Sequence, residues 1–203
     1  RVKNNMQVIS SLLRLQSRYI KDEKALELFQ NSQNRVTSMA LIHESLYQSE
    51  DLAHINFADY VKRLTTQLLS SLAIYKGHIN LKINIKDINL DINLAIPCGL
   101  IINELVSNSL KYAFPAYADK SEGRKGELSV SFTYENQTYI LYVKDNGIGI
   151  SEKINVKKPQ TLGLLLVGSL TKQLRGTLEL EKVKGTCFKI TFQKVELKTY
   201  SKV

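Results

Sequence analysis

Sulfur, tryptophan and helix-breaking residues are scarce in this sequence. Cys98 and Cys187 are the only cysteines, far apart and without metal-ligand spacing, which excludes a disulfide framework and a cysteine-based zinc module. They are expected to be two buried thiols in a reducing compartment. Tryptophan is absent altogether. Residues 1–51 contain neither glycine nor proline, which argues against mixed structure and for helix. No apolar run reaches the roughly 18 residues needed to cross a bilayer as a helix. No secretory leader opens the chain, and its first residue is Arg1 rather than methionine, so it is expected to be part of a longer protein with targeting or sensor segments elsewhere. What is plentiful is positive charge. Lysine and arginine number 28 against 19 acidic residues, a net +9 that favours an acidic partner: nucleotide, nucleic acid or an acidic protein face. No aromatic stacking ladder or recognition module accompanies the charge, so nucleic acid is not expected. A chain of 203 residues with 43% hydrophobic content suits one large domain or two small ones.

Periodicity divides the chain. Val2, Met6, Ile9, Leu13 and Ile20 recur at spacings of four and three, broken by Gln16. Leu26, Phe29, Val36, Met39, His43 and Leu46 form a second stripe beyond the charged break Lys21–Lys24. Two long amphipathic helices in an antiparallel hairpin are predicted. Val8, Leu12 and Leu15 are left over and need another surface, so a homodimeric four-helix bundle is expected. After a connector near Leu52–Asn56, Phe57–Ile74 reads as a third helix ended by Gly77, and Ile79–Ile85 alternates as a strand. Pro97 is placed at the start of a helix running to about Phe114. Leu128–Tyr134 and Tyr139–Lys144 read as a hairpin turning at Asn136-Gln137, and Thr177–Lys182 and Thr186–Phe192 as another turning at Lys184-Gly185. Between them come a loop, Asn146–Gln160, and a helix, Leu162–Leu174, ended by Gly176. The expected class is α+β: a helical hairpin (1–55), an α/β sandwich with helices on one face of a sheet dominated by antiparallel hairpins (56–194), and a charged tail (195–203).

Four stretches carry residues suited to chemistry. In Ile101–Tyr112, Glu104, Asn108, Lys111 and Tyr112 fall near one helix face, bringing together a carboxylate, an amide oxygen suited to Mg²⁺, a cation suited to phosphate and a phenol. Leu100, Ile101, Leu105 and Leu110 are free to pack on the sheet. Asp145-Asn146-Gly147-Ile148-Gly149 follows a strand, giving an acceptor for an exocyclic amine and two glycines that permit close backbone approach. Thr161-Leu162-Gly163-Leu164 opens an apolar helix whose amino-terminal N–H groups suit phosphate oxygens. Gly185-Thr186-Cys187-Phe188 lies in the last hairpin. Taken singly, each also reads as a solvated helix face, a turn, a helix start or a turn-and-strand. Their order and spacing over about 85 residues are what separate the chain from those plain alternatives.

That ordered set resembles the N, G1 and G2 boxes and terminal GTxF of the GHKL ATPase superfamily, whose fold is the Bergerat α/β sandwich. Arg1-Val2-Lys3-Asn4-Asn5 resembles the segment after the phosphoacceptor in the second type of histidine-kinase dimerisation domain, where the motif is His-Arg-Val-Lys-Asn-Asn. Ala40–Tyr47 is similar to that domain's second helix, and Ile96-Pro97, Asn103-Glu104-Leu105 and Lys111–Phe114 match the same group. The related group named for His, Trp and Glu is less similar, since tryptophan is absent. The resemblance covers almost the whole chain and implies a sensor histidine kinase core. The acceptor histidine would fall immediately before Arg1 and is not in this sequence; His43 sits in an apolar stripe, and His54 and His78 carry no implied role.

The resemblance implies the following roles. ATP lies between the Asn-bearing helix, DNGIG and TLGL. Asp145 bonds the adenine amine with Thr186 in support, Asn108 ligates Mg²⁺, Lys111 neutralises phosphate charge and Tyr112 lines the pocket. Gly147, Gly149, Leu162, Gly163 and Leu164 let backbone close over the nucleotide, with residues 150–160 as a lid. Glu104 polarises the attacking histidine. The phosphoryl group passes to an aspartate of a response-regulator receiver domain. The implied partners are that receiver, a second copy of the chain and an upstream sensor domain; the implied place is the cytoplasm, with a parent protein that is either soluble or membrane-anchored. Competing expectations are a GHKL protein that gates conformation, a serine kinase of the anti-sigma type, and a non-enzymatic phosphotransfer adaptor.

Overall fold

The computed structural model describes residues 2–48, 54–71, 79–86, 88–114, 126–150, 156, 159 and 161–193. Arg1, the end of the expected third helix with Gly77 and His78, most of the expected lid at 150–160 and the tail at 195–203 lie outside these residues, as does the side chain of Leu46. The glycine-free start folds into α1 (Val2–Ser17) and α2 (Glu23–Gln48). The turn lies just before the charged break, where the Arg18, Tyr19 and Ile20 amides bond back to Leu15, Gln16 and Ser17, and Glu23 and Lys24 already belong to α2. Asp22 caps α2 by accepting from the Ala25 amide at 2.7 Å, satisfying one of the helix's orphan donors. On α1 the face turned inward is Met6, Ser10, Leu13 and Ser17, continued by Ile20 in the turn, whereas Ile9 joins Val8, Leu12 and Leu15 on the exposed side. The expected stripe therefore shifts by one residue at Ile9, where Ser10 approaches Thr37 of α2 to 3.5 Å.

Beyond the hairpin come β1 (Ile55–Asn56), α3 (Phe57–Ser71), β2 (Ile79–Ile85), β3 (Asn89–Leu90), α4 (Ile92–Asn108), β4 (Gly126–Glu135), β5 (Thr138–Asp145), α5 (Leu162–Gln173), β6 (Thr177–Val183) and β7 (Gly185–Gln193). The main sheet has the order β2-β4-β5-β7-β6. Strand alternation puts Val130, Val143 and Phe188 in one row across it, and Phe132, Leu141 and Ile190 in the next. All six are buried beneath α3, α4 and α5. On the opposite face the Lys189 ammonium sits 5.8 Å from the centre of the Tyr142 ring. Asn136 and Gln137, both with positive φ, form the two-residue turn expected between β4 and β5.

The structure adds to or corrects local expectations at four points. The connector and the stretch before α4 pair as the two-residue strands β1 and β3, too short to show a period. Antiparallel pairs dominate the sheet as expected, and the strand β2 adds one parallel pair, with β4. Pro97 lies inside α4, which begins at Ile92 because Asp91 caps it, accepting from the amides of Asn93 at 2.8 Å and Leu94 at 3.3 Å. After α5 it is Arg175, not Gly176, that takes the left-handed conformation, at φ 53°, while the Gly176 amide reaches back to the Thr171 carbonyl at 2.9 Å.

The helix α2 has a second face, which docks along the sandwich. Ser38 and Ile42 are fully buried there. The Ser38 hydroxyl shares a 2.8 Å hydrogen bond with Tyr60 of α3, whose phenol burial pushes up from its ordinary pKa. One turn further on, Glu44 pairs with Arg63 at 3.3 Å.

Candidate functional site

The carboxyl end of α4 does not stop cleanly. It widens into a π-helical turn, Ser109–Ala113, before Phe114. Such a turn re-aims side chains relative to a continued α-helix. Here it buries Ser109, Leu110 and Ala113 while Lys111 stays half-buried and Tyr112 is 59% exposed. The DNGIG loop rests on this turn. The Ile148 amide donates to the Ala113 carbonyl at 2.9 Å, and a Cβ at Gly147 would collide with that same carbonyl, so only glycine fits. Gly149 is glycine for a different reason, a φ of 81°.

A cavity of about 480 Å³ opens between α4, its π-helical turn, the DNGIG loop, α5, β7 and α2. That volume lies in the range of small-molecule sites. Of the residues singled out by sequence, Glu104, Asn108, Lys111, Tyr112, Asp145, Gly149, Leu162, Gly163, Leu164 and Thr186 all line it. Gly147 supports the wall from behind.

At one end stands Asp145, 2% exposed. Its register explains its aim: it has the parity of the inward-facing Leu141 and Val143, and it pairs across the sheet with Leu128 and Thr186. Three donors hold its carboxylate: the Ser109 hydroxyl at 2.7 Å, the Gly147 amide at 3.0 Å and the Thr186 amide at 3.1 Å. Thr186 thus reaches Asp145 through its backbone. Ser109, unassigned from the sequence, opens the π-helical turn and supplies the shortest of these contacts. Next to Thr186, burial pushes the Cys187 thiol up to about 11, and Cys98 is pushed up by burial too; both are buried free thiols.

At the other end lie Glu104, Asn108 and Lys111. Gly163 faces them at the mouth of α5: a Cβ there would come within 2.9 Å of Glu104 Oε2 and 3.8 Å of Asn108 Nδ2. The absent side chain leaves a cradle beside a carboxamide, a carboxylate and an ammonium, a donor set that fits a phosphate chain carrying one hard cation. Among the described residues no group of three or more His, Cys, Asp or Glu is placed to hold a metal by itself.

The same end holds residues that sequence reasoning missed. Arg35 of α2 is bidentate on Glu104, with Nε 2.8 Å from Oε1 and Nη2 2.8 Å from Oε2, and the Asn103 amide donates to Oε1 at 3.1 Å. The Glu104 hydrogen bond holds the guanidinium above its ordinary pKa. Lys111 Nζ donates to Glu27 Oε1 at 2.9 Å and to Asn31 Oδ1 at 2.7 Å, and the Tyr112 hydroxyl donates to the same Glu27 oxygen at 3.2 Å. The Lys111 hydrogen bond and charge hold the Glu27 carboxyl below its ordinary value. Glu27, Asn31 and Arg35, with Ser38 and Ile42 beyond, recur at helical spacing on one face of α2. The spacing was there to find, but the stripe is polar, and a search for apolar periodicity passes over it.

A helical hairpin laid against a mixed sandwich, with an Asn-bearing helix, a glycine loop and a glycine-led helix around one cavity, defines a GHKL-type ATPase domain joined to a dimerisation-type hairpin. The chain belongs to the histidine kinase-, DNA gyrase B- and HSP90-like ATPase family, whose model matches residues 94–196, and within it to the histidine kinases, since a model described as histidine kinase matches residues 1–72. It is 31% identical over 185 residues to the sensor histidine kinase PdtaS of Mycolicibacterium smegmatis and 32% identical over 181 residues to PdtaS of Mycobacterium tuberculosis. Those alignments take in 90% and 88% of this chain, which spans only 36% and 34% of the two relatives. In fold it is similar to the histidine kinase domain of the Erythrobacter litoralis EL346 blue-light activated histidine kinase, with a TM-score of 0.69, 18% identity and 94% of each chain covered. It is also similar to the Acinetobacter baumannii histidine kinase AdeS, with a TM-score of 0.55, 19% identity, and 94% of this chain and 95% of that one covered.

Proposed function

We propose that this chain is the kinase core of a sensor histidine kinase, divided into a phosphotransfer hairpin over 1–55 and an ATP-binding catalytic domain over 56–194. In this account the core binds Mg-ATP, phosphorylates a histidine upstream of Arg1 and passes the phosphoryl group to an aspartate of a response-regulator receiver in the cytoplasm. The observation that carries it is the convergence of Asn108, Lys111, Asp145 and Gly163, from separate stretches of sequence, on one cavity. A carboxylate offers about four acceptor positions, and three of those on Asp145 are taken by Ser109, Gly147 and Thr186. The one left over suits a single exocyclic amine, as adenine carries. Asn108 offers its carboxamide oxygen to the metal, Lys111 holds phosphate, and the amino-terminal N–H groups of α5 beside Gly163 suit phosphate oxygens. Magnesium, when bound with the nucleotide, supplies charge neutralisation on the phosphates.

Catalysis here is positioning of an in-line attack by a neutral imidazole, with Glu104 polarising it. Arg35 and Asn103 take three of the four acceptor positions on Glu104 in this conformation, so that role is fullest once the bidentate Arg35 contact opens. A second copy of the chain would cover the exposed Val8, Ile9, Leu12 and Leu15 of α1, completing a four-helix bundle. The test uses a chain extended upstream through the acceptor and γ-labelled ATP. Acid-labile, alkali-stable label is expected, and Asn108→Ala should abolish it while leaving the thermal midpoint in place. Nucleotide affinity in Mg²⁺ that is unchanged by Asn108→Ala would contradict the assignment.

A further inference from the structure

The phosphate end of the cavity is already occupied by side chains of α2. Lys111 spends two of its donors on Glu27 and Asn31, and Tyr112 donates to Glu27 as well. Two turns along α2, about 12 Å at helical rise, Arg35 covers Glu104. The two ion pairs differ in depth. The side chains of Arg35 and Glu104 are 17% and 8% exposed, whereas those of Lys111 and Glu27 are 22% and 45% exposed. Glu27 can therefore return to water at little cost once it loses its cation, while the deeper pair holds more firmly.

We propose that Glu27 is an internal competitor for the phosphate-binding cation. It latches α2 onto Lys111 when no nucleotide is bound, and a nucleotide's terminal phosphate takes Lys111 from it and loosens the hairpin. The inference rests on Lys111 being a phosphate ligand. A carboxylate and a phosphate oxygen want the same ammonium protons, and the phosphate brings more charge. Once displaced, Glu27 has lost its cation and lies beside a phosphate chain that carries more negative charge than Lys111 neutralises, so the balance of charge favours α2 moving outward. Nucleotide entry thus frees the helix that must move before Glu104 can leave Arg35.

The experiment uses the whole chain and a carbodiimide, which joins a carboxylate and an amine in contact with loss of water. A Glu27–Lys111 cross-link, located by mass spectrometry, is expected without ligand, is expected to persist with adenosine, and is expected to vanish at saturating Mg-ATP. In parallel, Glu27→Gln should tighten Mg-ATP by roughly three- to tenfold, the range a partly exposed ion pair supports, and leave adenosine affinity unchanged. Glu23→Gln, one turn earlier and exposed, should change neither affinity. A cross-link that survives saturating Mg-ATP, or equal tightening by Glu23→Gln and Glu27→Gln, overturns the latch. Failure of the wild-type chain to bind Mg-ATP, or unchanged Mg-ATP affinity in Lys111→Ala, would instead overturn the nucleotide assignment beneath it.

Discussion

The two ends of the cavity are built from different materials. Around Asp145 every partner comes from the sandwich itself, from the π-helical turn, the DNGIG loop and β7. Around Glu104 and Lys111 the partners include side chains of α2, 69 and 84 residues away in sequence, held by ion pairs rather than by the sheet. The first end is a fixed socket. The second is made of contacts across an interface, and in the proposed account Glu27 would be replaced on Lys111 by a ligand group of the same charge. In that account, specificity for the base would belong to the rigid end and regulation to the exchangeable one.

The largest effect that sharpens this contrast is expected from Asp145→Asn. Losing a charged acceptor buried among three donors should cost adenosine and Mg-ATP alike, by about 100-fold, read by calorimetric titration. Lys111→Ala should cost Mg-ATP about tenfold and adenosine nothing. Equal losses in both ligands would erase the division between the ends. The smallest effect is one of pH. The Glu27 carboxyl is depressed, first by its Lys111 hydrogen bond and then by the Lys111 charge. A depressed carboxylate contributes stability that is complete above its ordinary pKa and is lost as pH falls through the lowered value. The difference in thermal midpoint between the wild-type chain and Glu27→Gln should therefore be constant from about pH 8 to 6 and shrink only below about pH 4. A difference that fades near neutrality would point to another group.

The same contrast governs what could be read from the sequence. The strand Ile79–Ile85 was legible to the residue, because alternation survives wherever one face is buried. The four nucleotide stretches were legible from their order, and their residues share one wall. The start of α4 was misplaced because Pro97 is a louder signal than Asp91, yet the Asp91 side chain makes the cap. β1 and β3, two residues each, have no period to detect. The docking face of α2 was hidden for a physical reason. Glu27, Asn31 and Arg35 are polar residues that become half-buried only because partners lie across an interface, and nothing local to α2 announces those partners. Sites closed within one layer leave a pattern in sequence; sites completed by another element leave only charges that look solvated.

The most direct measurement is a crystal structure of the chain with Mg²⁺ and a non-hydrolysable ATP analogue. The account predicts the adenine amine on the Asp145 carboxylate, the metal on the Asn108 carboxamide, and Lys111 on phosphate with Glu27 withdrawn. A nucleotide bound elsewhere, or one seated here with Lys111 still on Glu27, would contradict it.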